Sequence, residues 1–227
     1  MLQKTHGIVF RYVKYGETSI IATLYTQVFG LTTFIVNGVR SSRSKGKIAL
    51  FQPLSLVDLV IYHKESRNIN RISEIKSLDP LNDLRTNIIK SSIGLFIIEV
   101  LNKCIKEEEP NEALFDFLTN SISRLNEAQS NYENFHLIFL LKLTKYLGFA
   151  PQNSTDFFVD IKSLSHTTST DHQNLIEEII NHDFGYILKM DFKTRSELLE
   201  DIILFYKVHM DLPELKSVKI LHTLLND

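Results

Sequence analysis

The sequence predicts an α+β fold in which a small five-stranded β-barrel is followed by an all-helical domain. Short segments rich in β-branched and aromatic residues fill positions 1–79, whereas longer segments with apolar residues every three or four positions fill 80–227. The charge changes at the same place, from 11 Lys and Arg against 5 Asp and Glu to 14 against 22. We therefore predict two domains, 1–79 and 80–227, of which only the first is basic.

The predicted strands are short and are separated by Gly, Pro, Asn or Ser. They are residues 7–15, 19–26, 32–39, 54–63 and 69–76. Five such strands suit a small closed barrel, in which inward side chains fill the core and outward ones are free to bind a partner. Alternation along the first strand separates Ile8, Phe10, Tyr12 and Lys14 from Val9, Arg11, Val13 and Tyr15. Both sets contain apolar residues, so alternation alone does not say which set faces the core.

Amphipathic helices are predicted for most of the second part. They cover residues 89–104, 112–127, 132–147, 194–210 and 214–225, and Pro110 and Pro213 interrupt the pattern. The third of these segments is apolar almost all round, which places it at the centre of a bundle, and Gly148 can end it in a left-handed conformation. Residues 149–172 are polar and irregular, so we expect a long connection there.

No arrangement of catalytic or metal-binding residues emerges from the sequence. The stretch around Gly46-Lys47 has Ser41 where a phosphate-binding loop needs its first glycine and Ile48 where it needs Ser or Thr. With Cys104 alone, several thiolates cannot join in one zinc site. His166, Asp171 and His172 form the only cluster that could hold a metal, and a solvated polar loop explains them better. We expect no cofactor and no enzymatic activity.

Targeting signals are also absent from the sequence pattern. The first residues lack a basic start, an apolar run and a cleavage site, and the apolar run at 135–149 is interrupted by Lys142 and Lys145. We therefore expect a soluble, cytoplasmic protein.

The strongest functional signal is the basic loop "RSSRSKGK" between the third and fourth predicted strands. Its cations, Arg40, Arg43, Lys45 and Lys47, can neutralise backbone phosphates, and the interleaved serines can add neutral donors. Arg11 and Lys14 on the first strand could assist. The alternative is a loop without a partner, and the +6 balance of residues 1–79 favours the polyanion.

Aromatic residues on outward positions of the barrel could stack bases. The candidates are Tyr12, Phe34 and Tyr62. Each of these rings could equally fill the barrel core, and the sequence does not decide between the two roles.

The order of several motifs resembles the RecO family of bacterial recombination mediators. These motifs are "YGETSIIATLYTQVFG", "VNGVRSSRSKGKIALFQPLSLVDLVIYHK", "YLGFAP", "FFVD" and "FYKVHMDLPELKSVKILHTLL", and they extend over essentially the whole chain. The resemblance implies an OB-fold N-terminal domain followed by a helical domain. It also implies binding of single- and double-stranded DNA, annealing of complementary strands, and cooperation with RecR to load RecA onto DNA coated by single-strand-binding protein (SSB), at the nucleoid.

Two further expectations follow from the resemblance. Many members carry a four-cysteine zinc module after a "G-F-x-P" segment, whereas this chain has no cysteine after Cys104, so we expect 149–172 to replace that module without a metal. The helical domain should present a groove for the acidic SSB tail, with Lys142, Lys145 and Lys207 as candidates for its rim. A protein-interaction adaptor without a nucleic-acid role is the alternative function.

Overall fold

The computed structural model describes residues 2–41, 44, 46–62, 69–106, 109–163 and 169–225. The strands are β1 (Leu2–Tyr15), β2 (Ser19–Thr26), β3 (Gly30–Val36), β4 (Leu56–Tyr62) and β5 (Asn70–Asp79), with a 3-10 helix at Lys47–Phe51. The helices are α1 (Asn82–Thr86), α2 (Ile88–Cys104), α3 (Glu112–Glu127), α4 (Phe135–Leu147), α5 (Ser154–Ile161), α6 (Thr170–Asn181), α7 (Phe192–His209) and α8 (Ser217–Leu224). The predicted order, five strands followed by helices, is confirmed.

The five strands close into a barrel in the order β1-β2-β3-β5-β4. Every neighbouring pair is antiparallel except β3 and β5, which are parallel. Inward side chains from all five strands and the 3-10 helix pack together, among them Val9, Ile20, Phe34, Phe51 and Leu59, which are all completely buried. This topology is the one expected for an OB-fold.

A β-bulge in β1 explains why alternation could not orient that strand. The register with β2 shifts between Val9 and Arg11, so Phe10 is the additional residue. After the bulge, Tyr12 lies opposite the inward Ala22, while Arg11 lies opposite Thr23. The inward set therefore contains Val9 and Tyr12, which strict alternation would place on opposite sides.

The first compact unit contains more of the chain than the barrel strands. It comprises residues 1–82 together with 105–122, so the first part of α3 belongs to it. Phe115 of α3 stacks against Tyr25 on the outer side of the barrel, and Tyr25 in turn stacks against Phe10, at ring separations of 6.4 and 5.9 Å. The hydroxyl of Tyr25 also donates to the carbonyl of Asn111 at 3.5 Å. Helix α3 therefore covers part of the outer barrel surface, and β1 is buried on both sides there.

The second compact unit comprises residues 83–104 and 123 onwards, and α4 is its central helix. Nine consecutive or near-consecutive residues of α4, beginning at Phe135, are buried, and Gly148 ends the helix with φ 86°, as the sequence predicts. A buried lysine, Lys90, is held by the Asp83 carboxylate at 3.2 Å and by the carbonyl of Asn126 at 2.7 Å. Because both partners satisfy its charge and its donors, this lysine has a structural role.

The expectation of an irregular connection at 149–172 is wrong for the part that the structure describes. Ser154–Ile161 forms α5, and α6 begins at Thr170. The side chains of Asn153 and Ser169 cap the two helices by accepting from the backbone N–H groups of Asp156 and His172. The periodic pattern of α5 is too short to stand out in a polar segment, and the helix gains its stability from the burial of residues such as Phe157.

Candidate nucleic-acid interface

The basic loop leaves β3 and is fastened to the turn between β1 and β2. The backbone N–H of Arg40 donates to the carbonyl of Thr18 at 2.9 Å, and its guanidinium donates to the carbonyl of Gly16 at 3.2 Å. Arg40 keeps part of its side chain in solvent, and Lys47 is exposed at the start of the 3-10 helix. Arg43 and Lys45 lie outside the described residues. The loop is thus held beside the turn that follows β1, the strand that carries the predicted cations Arg11 and Lys14.

The serines of the loop stabilise the loop itself. The hydroxyl of Ser44 lies 2.7 Å from the carbonyl of Gly38 and 2.8 Å from that of Val39, and the hydroxyl of Ser41 lies 2.8 Å from the same Gly38 carbonyl. A hydroxyl has one hydrogen to donate, and here it faces backbone carbonyls. The expectation that the serines donate to phosphate is therefore wrong for Ser41 and Ser44.

The two predicted cations of β1 are both exposed. Arg11 points outward, and its Nε lies 3.5 Å from the hydroxyl of Thr23 across the β1–β2 pair. Lys14 is one residue from the end of β1, and the turn that Arg40 holds begins two residues later. Arg11, Lys14, Arg40 and Lys47 thus all expose charge in the barrel unit, as a polyanion-binding surface requires.

The three candidate base-stacking rings differ in their exposure to solvent. Phe34 is completely buried in the barrel core, so its ring is not accessible to a base and this prediction is wrong. Tyr12 is half-buried and packs against the same core. Tyr62 at the end of β4 is 52% exposed.

Two further residues were missed by the sequence reasoning. Tyr15 on β1 is also 52% exposed, and Arg71 on β5 is exposed and lies opposite Tyr62. The outward direction of Tyr15 follows from the bulge at Phe10, because it shifts the inward and outward positions of β1. That bulge has no signature in the sequence, so Tyr15 could not have been selected from the pattern alone.

The lysines predicted for the helical domain differ in their surroundings. The ammonium group of Lys142 donates to the carbonyl of Ile180 at 2.9 Å and lies 3.8 Å from the Asp183 carboxylate. It therefore satisfies the C-terminal end of α6. Lys145 and Lys207 are exposed on α4 and α7.

The predicted polar cluster near residue 170 does not assemble as a metal site in the described part of the chain. Asp171 is exposed, whereas His172 is buried with its Nε2 3.3 Å from the Glu197 carboxylate and its Nδ1 3.6 Å from the Asp201 carboxylate. His166 lies outside the described residues. Within the described ranges, no three His, Cys, Asp or Glu side chains are arranged to hold a metal ion.

None of the described helices combines the length and the apolar character that crossing a bilayer would need.

Comparison with known proteins places the whole chain in one family. Residues 1–81 match the family model described as Recombination protein O N terminal, and residues 85–171 match Recombination protein O C terminal. Proteins named DNA repair protein RecO are similar along nearly their full length: that of Bacteroides fragilis is 32% identical, with all of both chains covered. Those of Flavobacterium johnsoniae and Flavobacterium psychrophilum are 36% and 37% identical, with 92% of each chain covered. Because both family models match and these relatives are similar over nearly the whole chain, the chain belongs to the RecO family of DNA repair and recombination proteins.

Proposed function

We propose that this chain is a DNA-binding recombination mediator that acts without making or breaking covalent bonds. In this role it binds single- and double-stranded DNA, anneals complementary strands and, together with RecR, helps to load RecA onto DNA coated by SSB. Its place in the cell is then the cytoplasm, at the nucleoid. Membership of the family supports the DNA repair role, and the barrel unit supplies the residues that support direct DNA binding.

One observation carries the proposal: the hydrogen bonds between Arg40 and the carbonyls of Gly16 and Thr18. They fix the start of the basic loop beside the end of β1, where Lys14 is exposed. A loop held in this way loses less conformational freedom when phosphates bind than a free loop would, so its charges contribute more to affinity. Phosphate contacts of this kind carry no sequence information, so we expect little sequence preference.

The salt dependence of binding tests the phosphate contacts. If the four loop cations each neutralise one phosphate of a single strand, the logarithm of affinity should fall against the logarithm of salt concentration with a slope of about −3. The measurement is fluorescence anisotropy of a labelled oligonucleotide at several salt concentrations. An affinity that does not change with salt would contradict the proposal.

Charge reversal identifies which cations bind DNA. Changing Arg40, Arg43, Lys45 and Lys47 to Glu should abolish binding at moderate salt, and the pair Lys45→Glu and Lys47→Glu should weaken it while leaving the contacts of Arg40 intact. The matched control reverses four exposed cations of the helical domain, Lys162, Lys189, Lys193 and Lys219, and should bind as the unchanged protein does. If both quadruple variants bind equally well, the loop is not the DNA site.

Strand annealing separates a mediator from a protein-interaction adaptor. Complementary oligonucleotides coated with SSB should anneal faster when the protein is added, and RecR should be needed for RecA loading. Failure to bind any oligonucleotide at low salt would favour the adaptor. For the SSB tail, Lys145 and Lys207 are the exposed rim candidates, and an acidic tail peptide should bind more weakly when both are changed to Glu.

A further inference from the structure

Strand β5 has a neighbouring strand along its whole length on one side only. On that side β4 pairs with it from Arg71 to Asp79. On the other side β3 pairs with it only at Asn70 and Arg71, and β3 itself ends at Val36, one residue after this pairing. Among the residues that the structure describes, 72–79 therefore lack a strand on the β3 side, which we call the free edge of β5.

The 3-10 helix contributes to the barrel core beside β5 but does not pair with the free edge. Its Ile48 packs on the same core as Ile75 of β5. Its backbone bonds stay within its own turn, as in the N–H of Ala49, which donates to the carbonyl of Gly46 at 3.0 Å. Within the described ranges, no backbone hydrogen bond reaches residues 72–78 from the side opposite β4. Such an edge has N–H and C=O groups that can pair with another extended chain.

The charged side chains of β5 are also available to a partner. Arg71, Glu74 and Lys76 are exposed, and none of the three forms an ion pair with another described residue. Asp79 is half-buried and uses its Oδ1 to accept from the backbone N–H of Leu81 at 2.8 Å. The strand therefore presents two positive and two negative groups in alternating order.

The order of these charges makes β5 complementary to itself. Residues 71–79 read "RISEIKSLD", with Ile75 at the centre. When two copies run antiparallel about Ile75, Arg71 lies opposite Asp79 and Glu74 lies opposite Lys76. The remaining pairs are Ser73 with Ser77 and Ile72 with Leu78. No other antiparallel alignment of this strand with itself places all four charges opposite a charge of the other sign. Opposite charges on directly paired residues stabilise a ladder, whereas like charges destabilise it.

Two β-bulges limit how much of β5 can take part in such a pairing. The register with β4 shifts at Ser73 and again at Leu78, so these are the additional residues. A bulge bends its strand, and bulges at sheet edges restrict edge-to-edge pairing. The regular stretch Glu74–Ser77 lies between the two bulges and contains the centre of the self-complementary pattern. A ladder formed there is short, so the association should be weak and reversible.

We propose that the free edge of β5 binds the free edge of a second copy of this chain, as two antiparallel strands related by a two-fold axis at Ile75. The backbone groups of the two edges then pair as in other cases of strand addition. Because a two-fold interface repeats each contact, Glu74 faces Lys76 of the second copy twice. The interface is smaller than the roughly 1,600 Å² of a standard stable complex, so dimers form only at high protein concentration. This proposal does not depend on the DNA-binding function proposed above.

Sedimentation velocity of the full chain tests the dimer. From about 1 µM to 1 mM, the range in which weak complexes associate, the average mass should rise from that of a monomer toward that of a dimer. Glu74→Lys and Lys76→Glu each place like charges opposite one another at two points and should weaken association by about tenfold or more. The controls Glu17→Lys and Lys4→Glu make the same charge changes at exposed positions of the barrel unit away from β5, and they should associate as the unchanged protein does.

Mixing the two charge variants tests the register of the pairing. The Glu74→Lys edge then carries two lysines and the Lys76→Glu edge two glutamates, so an equimolar mixture should form mixed dimers although neither variant associates alone. The double variant Glu74→Lys/Lys76→Glu exchanges both signs and should recover association. Lys76 lies opposite Asp58 on β4, so Lys76→Glu could disturb the barrel itself. Glu74 lies opposite Val60, and Glu74→Lys therefore tests the edge without this effect.

Three results would overturn the proposal. An unchanged protein that stays monomeric over the whole concentration range would leave the free edge to a different partner. Association that Glu74→Lys retains in full would place the dimer on another surface. A mixture of the two variants without mixed dimers, together with a double variant that stays monomeric, would show that Glu74 and Lys76 do not face each other.

Discussion

Glu99 in α2 holds the first turn of α8 through Ser217, whose backbone N–H and hydroxyl donate to one carboxylate oxygen at 2.8 and 2.5 Å. The other oxygen accepts from the backbone N–H of Lys216 at 3.0 Å and lies 3.3 Å from the ammonium group of Lys103. Partial burial alone would raise the pKa of Glu99, but the hydrogen bonds from Ser217, Lys216 and Lys103 outweigh it and lower the pKa to about 2. The ionised carboxylate thus links α2 to α8 through two residues, Glu99 and Ser217, that are 118 positions apart in the chain.

Replacing this carboxylate should weaken the helical unit. Glu99→Gln keeps the shape but loses the charge-assisted hydrogen bonds, and we expect a loss of about 1.5–3 kcal/mol in the free energy of unfolding at pH 7, measured by urea denaturation. Glu200→Gln, which removes an exposed carboxylate from α7, is the control and should have little effect. Because the pKa of Glu99 is lower in the folded protein than its ordinary value of 4.5, its contribution is present above pH 4.5 and is lost as the pH falls toward 2. The Glu99→Gln variant should lack this part of the loss of stability in acid. If the free energy of unfolding depended on pH in the same way in the variant and in the unchanged protein, Glu99 would not have this role.

His136 should make the protein less stable in mild acid. It lies in α4, almost completely buried, edge-on to Phe96 at 5.9 Å. Burial, assisted by the positive charge of Arg195, lowers the pKa of His136 to about 3 from 6.5. The unfolded chain therefore binds a proton below pH 6.5 that the folded protein does not bind until about pH 3, so stability falls as the pH decreases through this window, by about 1.4 kcal/mol per pH unit well inside it.

The variant His136→Leu removes this titration. The difference in unfolding free energy between the variant and the unchanged protein should grow in favour of the variant as the pH falls from 6.5 to 4. Urea denaturation at a series of pH values measures it. A difference that is constant with pH would show that His136 does not titrate in this way.

Ser44 should contribute to DNA affinity without contacting DNA. Its hydroxyl holds the beginning of the basic loop through the carbonyls of Gly38 and Val39. Ser44→Ala should lower affinity a few-fold because the loop becomes less ordered, but the salt slope should not change, since no charge is lost. Lys47→Ala should instead reduce the slope by about 0.7. A changed slope in Ser44→Ala would mean that the loss of the hydroxyl also removes a cation of the loop from its phosphate, and would contradict a purely ordering role.

Helices α5 and α7 should remain folded when metals are removed. Phe157 of α5 is completely buried and stacks on Phe205 of α7 at 4.7 Å, and His209 of α7 lies 3.0 Å from the Asp160 carboxylate of α5. A chelator should therefore leave the melting temperature unchanged. Phe157→Ala should cost about 3–5 kcal/mol, and Val159→Ala, at an exposed position of the same helix, should cost far less. A melting temperature that falls with the chelator would indicate a metal after all.

Long periodic segments of the sequence predicted the architecture well. The strand regions and the longer helices carry patterns that extend over many residues, and Gly148 ends α4 as its position suggests. Helix α5 was missed because eight residues with three buried apolar side chains do not make a distinctive period. Its stability comes from contacts with residues far along the chain, such as Phe205, which a local pattern cannot contain.

The cations of the candidate site were easier to predict than its aromatic residues. A charged loop is visible as composition, whereas the side to which a ring points depends on strand register. One additional residue at Phe10 reverses that register for the rest of β1. For this reason Tyr15 was overlooked, although it lies on a predicted strand. Phe34 lies on β3, where the sequence left its direction open and the structure places it in the core.

The inclusion of residues 105–122 in the barrel unit has a consequence for how the protein forms during synthesis. The last barrel strand is complete at Asp79, but the helix that shields Tyr25 follows only after all of α2, which belongs to the other unit. At roughly 5–20 residues per second, the ribosome adds the intervening 43 residues, from 80 to 122, in about 2–9 s. During that time the rings of Phe10 and Tyr25, roughly 300–500 Å² of aromatic surface, have no cover. A nascent chain that stalls in this interval exposes a surface to which chaperones bind.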